Sequence, residues 1–366
     1  MKKTLLLIGG GRAHVEVLRQ LASNPPADAD IALFNPSPSV MYSSMLPGVI
    51  AGHYEPAEAK VNLWALCQRA RVRFFETSVL SLNANNLVLE SGIGERHRFD
   101  FASLDVGGIS QPLPTSPGAY VVTVKPADTL LAAINEFESV RSASLMVRIV
   151  GNGSDALEIA LALAFRWRAS TNRRVTIVAA TRLMVGYPPR VRALALRACK
   201  RWGVAVLENK AVEHIEPTRL RLVGGDLIDT QLTVLATGYA PVPLLQKTDL
   251  TRSTDGSIHV NTNLQSSNHP HIFAAGNCAN VSGLAIATSS VFSARQGTAL
   301  AANLLATFSG GALAPYRHAS SLLNLLSLGD TRAIATRSGL STAARWAWRW
   351  KDSNDRTWIN RYTLDQ

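Results

Sequence analysis

Leu5-Leu6-Leu7-Ile8-Gly9-Gly10-Gly11-Arg12-Ala13-His14 sets the architecture of the chain. Four consecutive apolar residues read as a buried strand and three glycines as a tight turn. Val15, Val17, Leu18 and Leu21 then recur at helical spacing. Ile31–Phe34 supplies the next apolar run, and strand, glycine turn, helix, strand is the layout of a parallel sheet. Such a turn aims the free N–H groups of a helix N-terminus at phosphate. Gly9 and Gly10 make the bend, Gly11 permits close approach of a pyrophosphate, and Arg12 and Ala13 open the helix. His14 stands where G-x-G-x-x-G has its third glycine, so the helix is expected to sit further from its strand. Asn35 ends the next strand, where an acid would ordinarily hold a ribose; an amide can still hydrogen-bond it.

A second copy follows. Leu145–Val150 reads as a strand, Gly151-Asn152-Gly153-Ser154-Asp155-Ala156 as its turn, Ala156–Phe165 as a helix and Val175–Val178 as a strand. Gly151, Gly153, Ser154 and Ala156 are the positions that would meet a second dinucleotide. Ala179 and Ala180 end that strand and cannot bind a 2′-hydroxyl, while Arg182 can meet a 2′-phosphate. The alternative is a unit that keeps its fold and binds nucleotide poorly. The fold class expected is α/β, with two Rossmann-like three-layer domains. Small antiparallel meanders are expected around the Asn83, Asn85, Asn86 turn and within residues 204–223, and a C-terminal segment follows.

Composition narrows the function. A chain of 366 residues with 47% hydrophobic residues can build two cores, and 37 basic against 26 acidic residues give +11. That charge favours anionic partners: nucleotides, acidic lipid or nucleic acid. No nucleic-acid module is recognisable, so none is expected as a partner. Cys67, Cys199 and Cys278 lack the spacing of a disulfide framework, a redox pair or a metal site, so no metal is expected and the setting reads as cytoplasmic. The N-terminal apolar run stops at the glycines, too early for a signal peptide, and no run of about 18 apolar residues predicts a membrane span. His14 and His53 read as structural, and Lys125 as a hinge ion pair or a catalytic cation. Four of the seven tryptophans (Trp346, Trp348, Trp350, Trp358) lie in the last 21 residues, beside Arg345 and Arg349. The tail reads either as an interfacial helix on anionic lipid or as a segment docked on the first domain.

Longer words carry a resemblance. Gly9–Glu16 (GGGRAHVE), Tyr42–Tyr54 (YSSMLPGVIAGHY), Val124-Lys125-Pro126, Ala294–Asn303 (ARQGTALAAN), Leu328–Ile334 (LGDTRAI) and Trp348–Asp352 (WRWKD) are similar to two groups. These are the type II NADH dehydrogenases and the flavoprotein domain fused ahead of some bacterial selenide, water dikinases, within the pyridine nucleotide-disulfide oxidoreductases. The resemblance implies an FAD domain at 1–125 and 255–315, an NAD(P)-binding domain at 126–254 and a C-terminal segment at 316–366. It puts Pro36, Met45, Leu46, Val79, Gly107 and Gly108 beside FAD. It also puts Thr237-Gly238 at a crossing near the nucleotide, and Gly276-Asn277 where the family has a Gly-Asp that binds the ribityl chain. Glu158 matches a glutamate near the nicotinamide, and Gln296 a glutamine in the helix facing the flavin, where quinone is admitted. The implied activity is hydride transfer from NAD(P)H through FAD to a quinone or other small acceptor, with peripheral membrane contact through the tail. The rival is a weakly catalytic flavin-binding partner linked to selenium metabolism.

Overall fold

A computed structural model describes residues 2–139, 145–284, 290–317 and 323–363. The central elements, in chain order, are β1 (Lys3–Ile8), α1 (Arg12–Ser23), β2 (Ala29–Phe34), β3 (Arg73–Phe75), β4 (Phe101–Leu104), β5 (Val121–Thr123) and β6 (Leu145–Val150). They continue with α2 (Ser154–Arg166), β7 (Arg173–Val178), α3 (Pro189–Arg201), β8 (Ala205–Leu207), β9 (Leu232–Leu235), β10 (Ile272–Ala274) and α4 (Ser290–Ser309). A C-terminal group comprises β11 (Asn324–Ser327), β12 (Ala333–Arg337), β13 (Leu340–Ala344) and α5 (Arg345–Asn360).

Two five-stranded parallel sheets result. The first has the order β10-β4-β1-β2-β3, the second β5-β9-β6-β7-β8. Strands covered on both faces must be apolar throughout, and Leu5–Ile8, Leu33, Phe34, Ile272 and Phe273 are accordingly buried. Because β10 joins β4, the chain completes the first sheet only after building the second. The strand β5 pairs with β9, so the second sheet begins ahead of the 125/126 division read from the sequence. The helical pattern of the sequence runs from Ala285 to Leu305, and α4 is described from Ser290; residues 285–289 lie outside the described residues.

Antiparallel three-stranded sheets stand at Val79–Asn83, Val88–Ser91 and Arg96–Arg98, and at Val212–Ile215, Arg219–Leu222 and Leu227–Asp229. A third, β11-β12-β13, packs on α2 and α3 of the second unit. Its tight turn needs Gly329, at φ +83°, because a Cβ there would lie 2.3 Å from the Leu161 carbonyl oxygen. His53 Nε2 donates to the Gly329 carbonyl at 2.8 Å, which makes this histidine structural. From this sheet α5 returns to the first unit. There Lys351 donates to the Ser44 carbonyl at 2.6 Å and the Tyr362 hydroxyl to Glu16 at 2.7 Å. No helix among the described residues is long and apolar enough to cross a membrane.

Candidate functional site

The first glycine turn is shaped by the end of β4. Gly9, at φ +90°, would put a Cβ 2.6 Å from the Asp105 carbonyl oxygen. The Gly10 N–H donates to Asn35 Oδ1 at 2.9 Å and Asn35 Nδ2 donates to the Ser37 carbonyl at 2.7 Å, so Asn35 ties the turn to the end of β2. At Gly11 the sequence suggested a glycine kept for phosphate. The structure adds a second cause: a Cβ would come 2.2 Å from the Asp105 carboxyl. Asp105 Oδ2 accepts the N–H groups of Ala13 (2.7 Å) and His14 (3.1 Å), taking up donors at the N-terminus of α1. Burial pushes this carboxyl up to about 7.

His14 fills the space that a third glycine would have closed. Its Nδ1 donates to the Gly9 carbonyl at 2.7 Å, since a carbonyl can only accept, and Nε2 then accepts from Ser103 Oγ at 2.8 Å. Burial lowers its pKa to about 4, so the ring is a neutral strut between the turn and β4.

A groove of about 720 Å³ runs along this turn, from Asn35 and Pro36 past Gly9–Gly11, Val79, Gly107 and Gly108 to Asn277. Leu46 lines it, whereas Met45, 1% exposed, lies in the core beneath. Gln296 is also withdrawn. It lines neither this groove nor its neighbour, and its Oε1 accepts the Gly276 N–H at 2.7 Å, holding the turn that presents Asn277. Its place is that of a positioning residue.

A second cavity of about 580 Å³ adjoins the groove. Ser154, Asp155 and Glu158 of α2 face it from one side, and Leu325, Lys351 and Asp355 from the other. Arg12, Tyr42, Ser43, Leu46, Lys125, Tyr239 and Trp358 border both spaces. Tyr42 and Trp358 stack at 4.0 Å. The Arg12 guanidinium lies 4.3 Å from the Tyr42 ring and donates to Ser43 Oγ at 2.9 Å. Opposite them, Lys125 Nζ sits 4.6 Å from the Tyr239 ring, and the Tyr239 hydroxyl donates to Asp155 at 2.9 Å. Glu158 Oε1 accepts the Ser327 N–H at 2.7 Å, and burial pushes its carboxyl up to about 7 against the charge of Lys351.

The second glycine turn stands apart. A Cβ at Gly151 would meet the Ala236 carbonyl oxygen at 2.1 Å, which accounts for that glycine. Of its cofactor candidates only Ser154 borders either cavity; Gly151, Gly153, Ala156, Arg182, Thr237 and Gly238 line neither. Arg182 is exposed, and Thr237 Oγ1 donates to the Gln111 carbonyl at 2.6 Å. The three cysteines are buried, each with its thiol pushed up to about 12, and Cys278 donates to the Ala275 carbonyl at 3.1 Å. By resemblance, the stretch Asp105-Val106-Gly107-Gly108 was expected at a crossing close to the pyrophosphate; the hold of the Asp105 carboxyl on α1 was not foreseen, nor were the places of Tyr42, Tyr239 and Trp358. An acid directly after the apolar strand Phe101–Leu104 was the one signal available.

Comparison with known proteins agrees with this geometry. A nitrite reductase [NAD(P)H] of Bacillus subtilis (strain 168) is 24% identical over 303 residues, 78% of this chain and 35% of that protein, so the chain spans about a third of the relative's length. The sulfide:quinone oxidoreductase of Aquifex aeolicus superposes with a TM-score of 0.82 at 15% identity, covering 98% of this chain and 91% of its own. NDH2 of Plasmodium falciparum, solved with NADH, also superposes at 0.82, with 12% identity and coverage of 99% and 97%. The family model for pyridine nucleotide-disulphide oxidoreductases matches residues 3–297, both glycine turns included. The family's members are oxidoreductases that bind FAD and NAD(P)H. The chain belongs to the pyridine nucleotide-disulphide oxidoreductase family.

Proposed function

We propose that this chain takes a hydride from NAD(P)H and passes it through FAD to a quinone or other small acceptor bound in the second cavity. The observation that carries the reading is the shared wall: seven residues border both the groove and the second cavity, so a flavin in one lies beside a substrate in the other. The residues fit FAD. Gly9–Gly11 carry no Cβ against a pyrophosphate, Asn35 and Asn277 give polar ends, and Pro36, Val79, Gly107 and Gly108 line the path. Bound FAD supplies the hydride chemistry, which no side chain here can carry.

The chain's own groups do the rest. The Arg12–Tyr42–Trp358 stack stands between groove and cavity. Glu158 keeps a proton near neutral pH at the cavity wall, available to an acceptor that gains electrons. Lys125 places positive charge on the same wall, where a reduced, anionic flavin would be stabilised. Gly151, Gly153, Ser154 and Ala156 would hold the NAD(P)H pyrophosphate at the start of α2, with Arg182 toward a 2′-phosphate. Outward-facing Trp346 and Trp350 favour contact with a lipid surface, which suits a quinone acceptor.

A second reading has its own support. Asp105 occupies α1 N–H groups that phosphate would use, and most of the second turn lines neither cavity. With the sequence words shared with the selenide, water dikinase flavoprotein domain, this favours a flavin-binding partner of low turnover in selenium metabolism. Heat release and chromatography of the ligand, then anaerobic mixing with NADH and NADPH, decide between them. FAD that bleaches on a catalytic timescale supports the enzyme. Bound FAD that neither coenzyme reduces supports the partner, and FMN or no flavin refutes both.

A further inference from the structure

Asp105 is 3% exposed and lines the groove. Its Oδ2 is saturated by two N–H groups of α1, and Oδ1 makes no hydrogen bond among the described residues. If FAD occupies this groove, the reading on which this inference rests, its pyrophosphate comes to the same helix N-terminus. Two anions sharing one site repel, and one of them keeps a proton. A neutral carboxylic acid, by contrast, can accept with one oxygen and donate with the other. We propose that Asp105 is a flavin-binding residue that meets the pyrophosphate as the neutral acid, its Oδ1 hydroxyl donating to a phosphate oxygen, so that tight FAD binding requires the Asp105 proton.

The surroundings determine where that proton is lost. Arg12, on α1, and Lys125, after β5, favour the carboxylate by charge. His14 is a neutral imidazole, and the Cys278 thiol keeps its proton, so neither adds charge at neutral pH. Burial outweighs the two α1 N–H hydrogen bonds and the two cations together, and pushes Asp105 up to about 7. Gly11 is part of the same arrangement, because any side chain there would displace the carboxyl. Loading above pH 7 therefore takes up one proton per FAD, and each further pH unit weakens binding tenfold.

The test is FAD release from the holoprotein, read by the fluorescence of freed flavin between pH 6 and 9. The dissociation constant should rise about a hundredfold over that range. Calorimetry in two buffers of different ionisation enthalpy should show proton uptake on rebinding at pH 8. Asp105→Asn keeps an oxygen for the α1 N–H groups and a permanent donor for phosphate, so its affinity should be flat with pH and tighter than wild type at pH 9. Lys125 also titrates in this wall; Lys125→Met should weaken binding and keep the slope. A flat wild-type profile, a slope that survives in Asp105→Asn, or a slope lost in Lys125→Met overturns the proposal. Protein that holds no flavin at any pH overturns the reading beneath it instead.

Discussion

Replacing Gly11 by alanine asks whether that glycine serves the cofactor or the chain. The new Cβ would lie 2.2 Å from the Asp105 carboxyl carbon, well inside van der Waals contact. The short aspartate side chain can yield only by withdrawing from α1, and the N–H groups of Ala13 and His14 then lose their acceptor. A buried donor left unpaired costs about 1–3 kcal/mol, so the pair should cost roughly 3 kcal/mol. With an unfolding entropy of about 2 cal/mol/K per residue, the melting midpoint of a chain this long falls by roughly 4 °C. Scanning calorimetry of Gly11→Ala, Asp105→Ala and the double variant closes a cycle. With the carboxyl gone, alanine at 11 should be accommodated, leaving a coupling of about 3 kcal/mol. If the two changes add to within about 0.5 kcal/mol, the carboxyl does not exclude a side chain here and phosphate approach must explain the glycine.

Four further outcomes are expected. With Ala179 and Ala180 directly after β7 and Arg182 exposed, kcat/KM for NADPH should equal or exceed that for NADH. Arg182→Ala should lower the NADPH value alone, about tenfold; a strong NADH preference untouched by the change refutes this. A triple Cys67→Ser, Cys199→Ser, Cys278→Ser variant at normal flavin occupancy should keep most of its diaphorase activity, and loss of turnover would implicate Cys278. Because the Glu158 carboxyl is raised from 4.5 to about 7, the folded protein holds a proton that the unfolded chain has lost. Its contribution to stability therefore falls as pH rises from about 4.5 to about 7, and Glu158→Gln should make the calorimetric midpoint fall less over that window, leaving the share that Asp105 contributes. Joint Trp346→Ala and Trp350→Ala should weaken binding to anionic vesicles at low salt and leave flavin content unchanged, whereas Trp358→Ala should speed FAD release. Flavin loss in the first variant, or none in the second, rejects that division of the tail.

The two strand–turn–helix units were legible because their signals are local. An apolar run and its glycines lie within a dozen residues, and at Gly9 and Gly151 a carbonyl oxygen excludes any Cβ. The meanders showed themselves by short alternating runs and turn residues. The hold of the Asp105 carboxyl on α1 did not, because α1 lies far from it in sequence and beside it in space. The inward turn of Gln296 was equally hidden: α4 is apolar on most sides, so its sequence does not say which side faces the groove. The sheet β11-β12-β13 goes beyond the C-terminal segment expected at 316–366: its strands are short, and it packs on α2 and α3, far from it in sequence, and on α5. The four tail tryptophans divide in a way composition could not reveal. Trp358 stacks on Tyr42 and Trp348 meets His53, while Trp346 and Trp350 lie outward, 51% and 48% exposed.

That division makes the C-terminal segment part of the site rather than an appendage. Ser327 fixes Glu158 through its N–H, and the buried Lys351–Asp355 pair lies in the wall of the second cavity; Trp358 borders cavity and groove together. A buried ion pair is costly unless its remaining donors are met, and Lys351 meets them at the Ser44 carbonyl and hydroxyl, which anchors α5 to the first unit. The same helix carries Trp350, which lines the second cavity and stands half-exposed beside Trp346, their rings 6.2 Å apart. The rim of the cavity and the apolar outer face of α5 therefore share a residue. On the proposed reading, an acceptor reaching Glu158 past this rim would cross the stretch of α5 where aromatic surface and the Arg345 and Arg349 charges lie together, and surface contact and acceptor entry would both belong to a single helix.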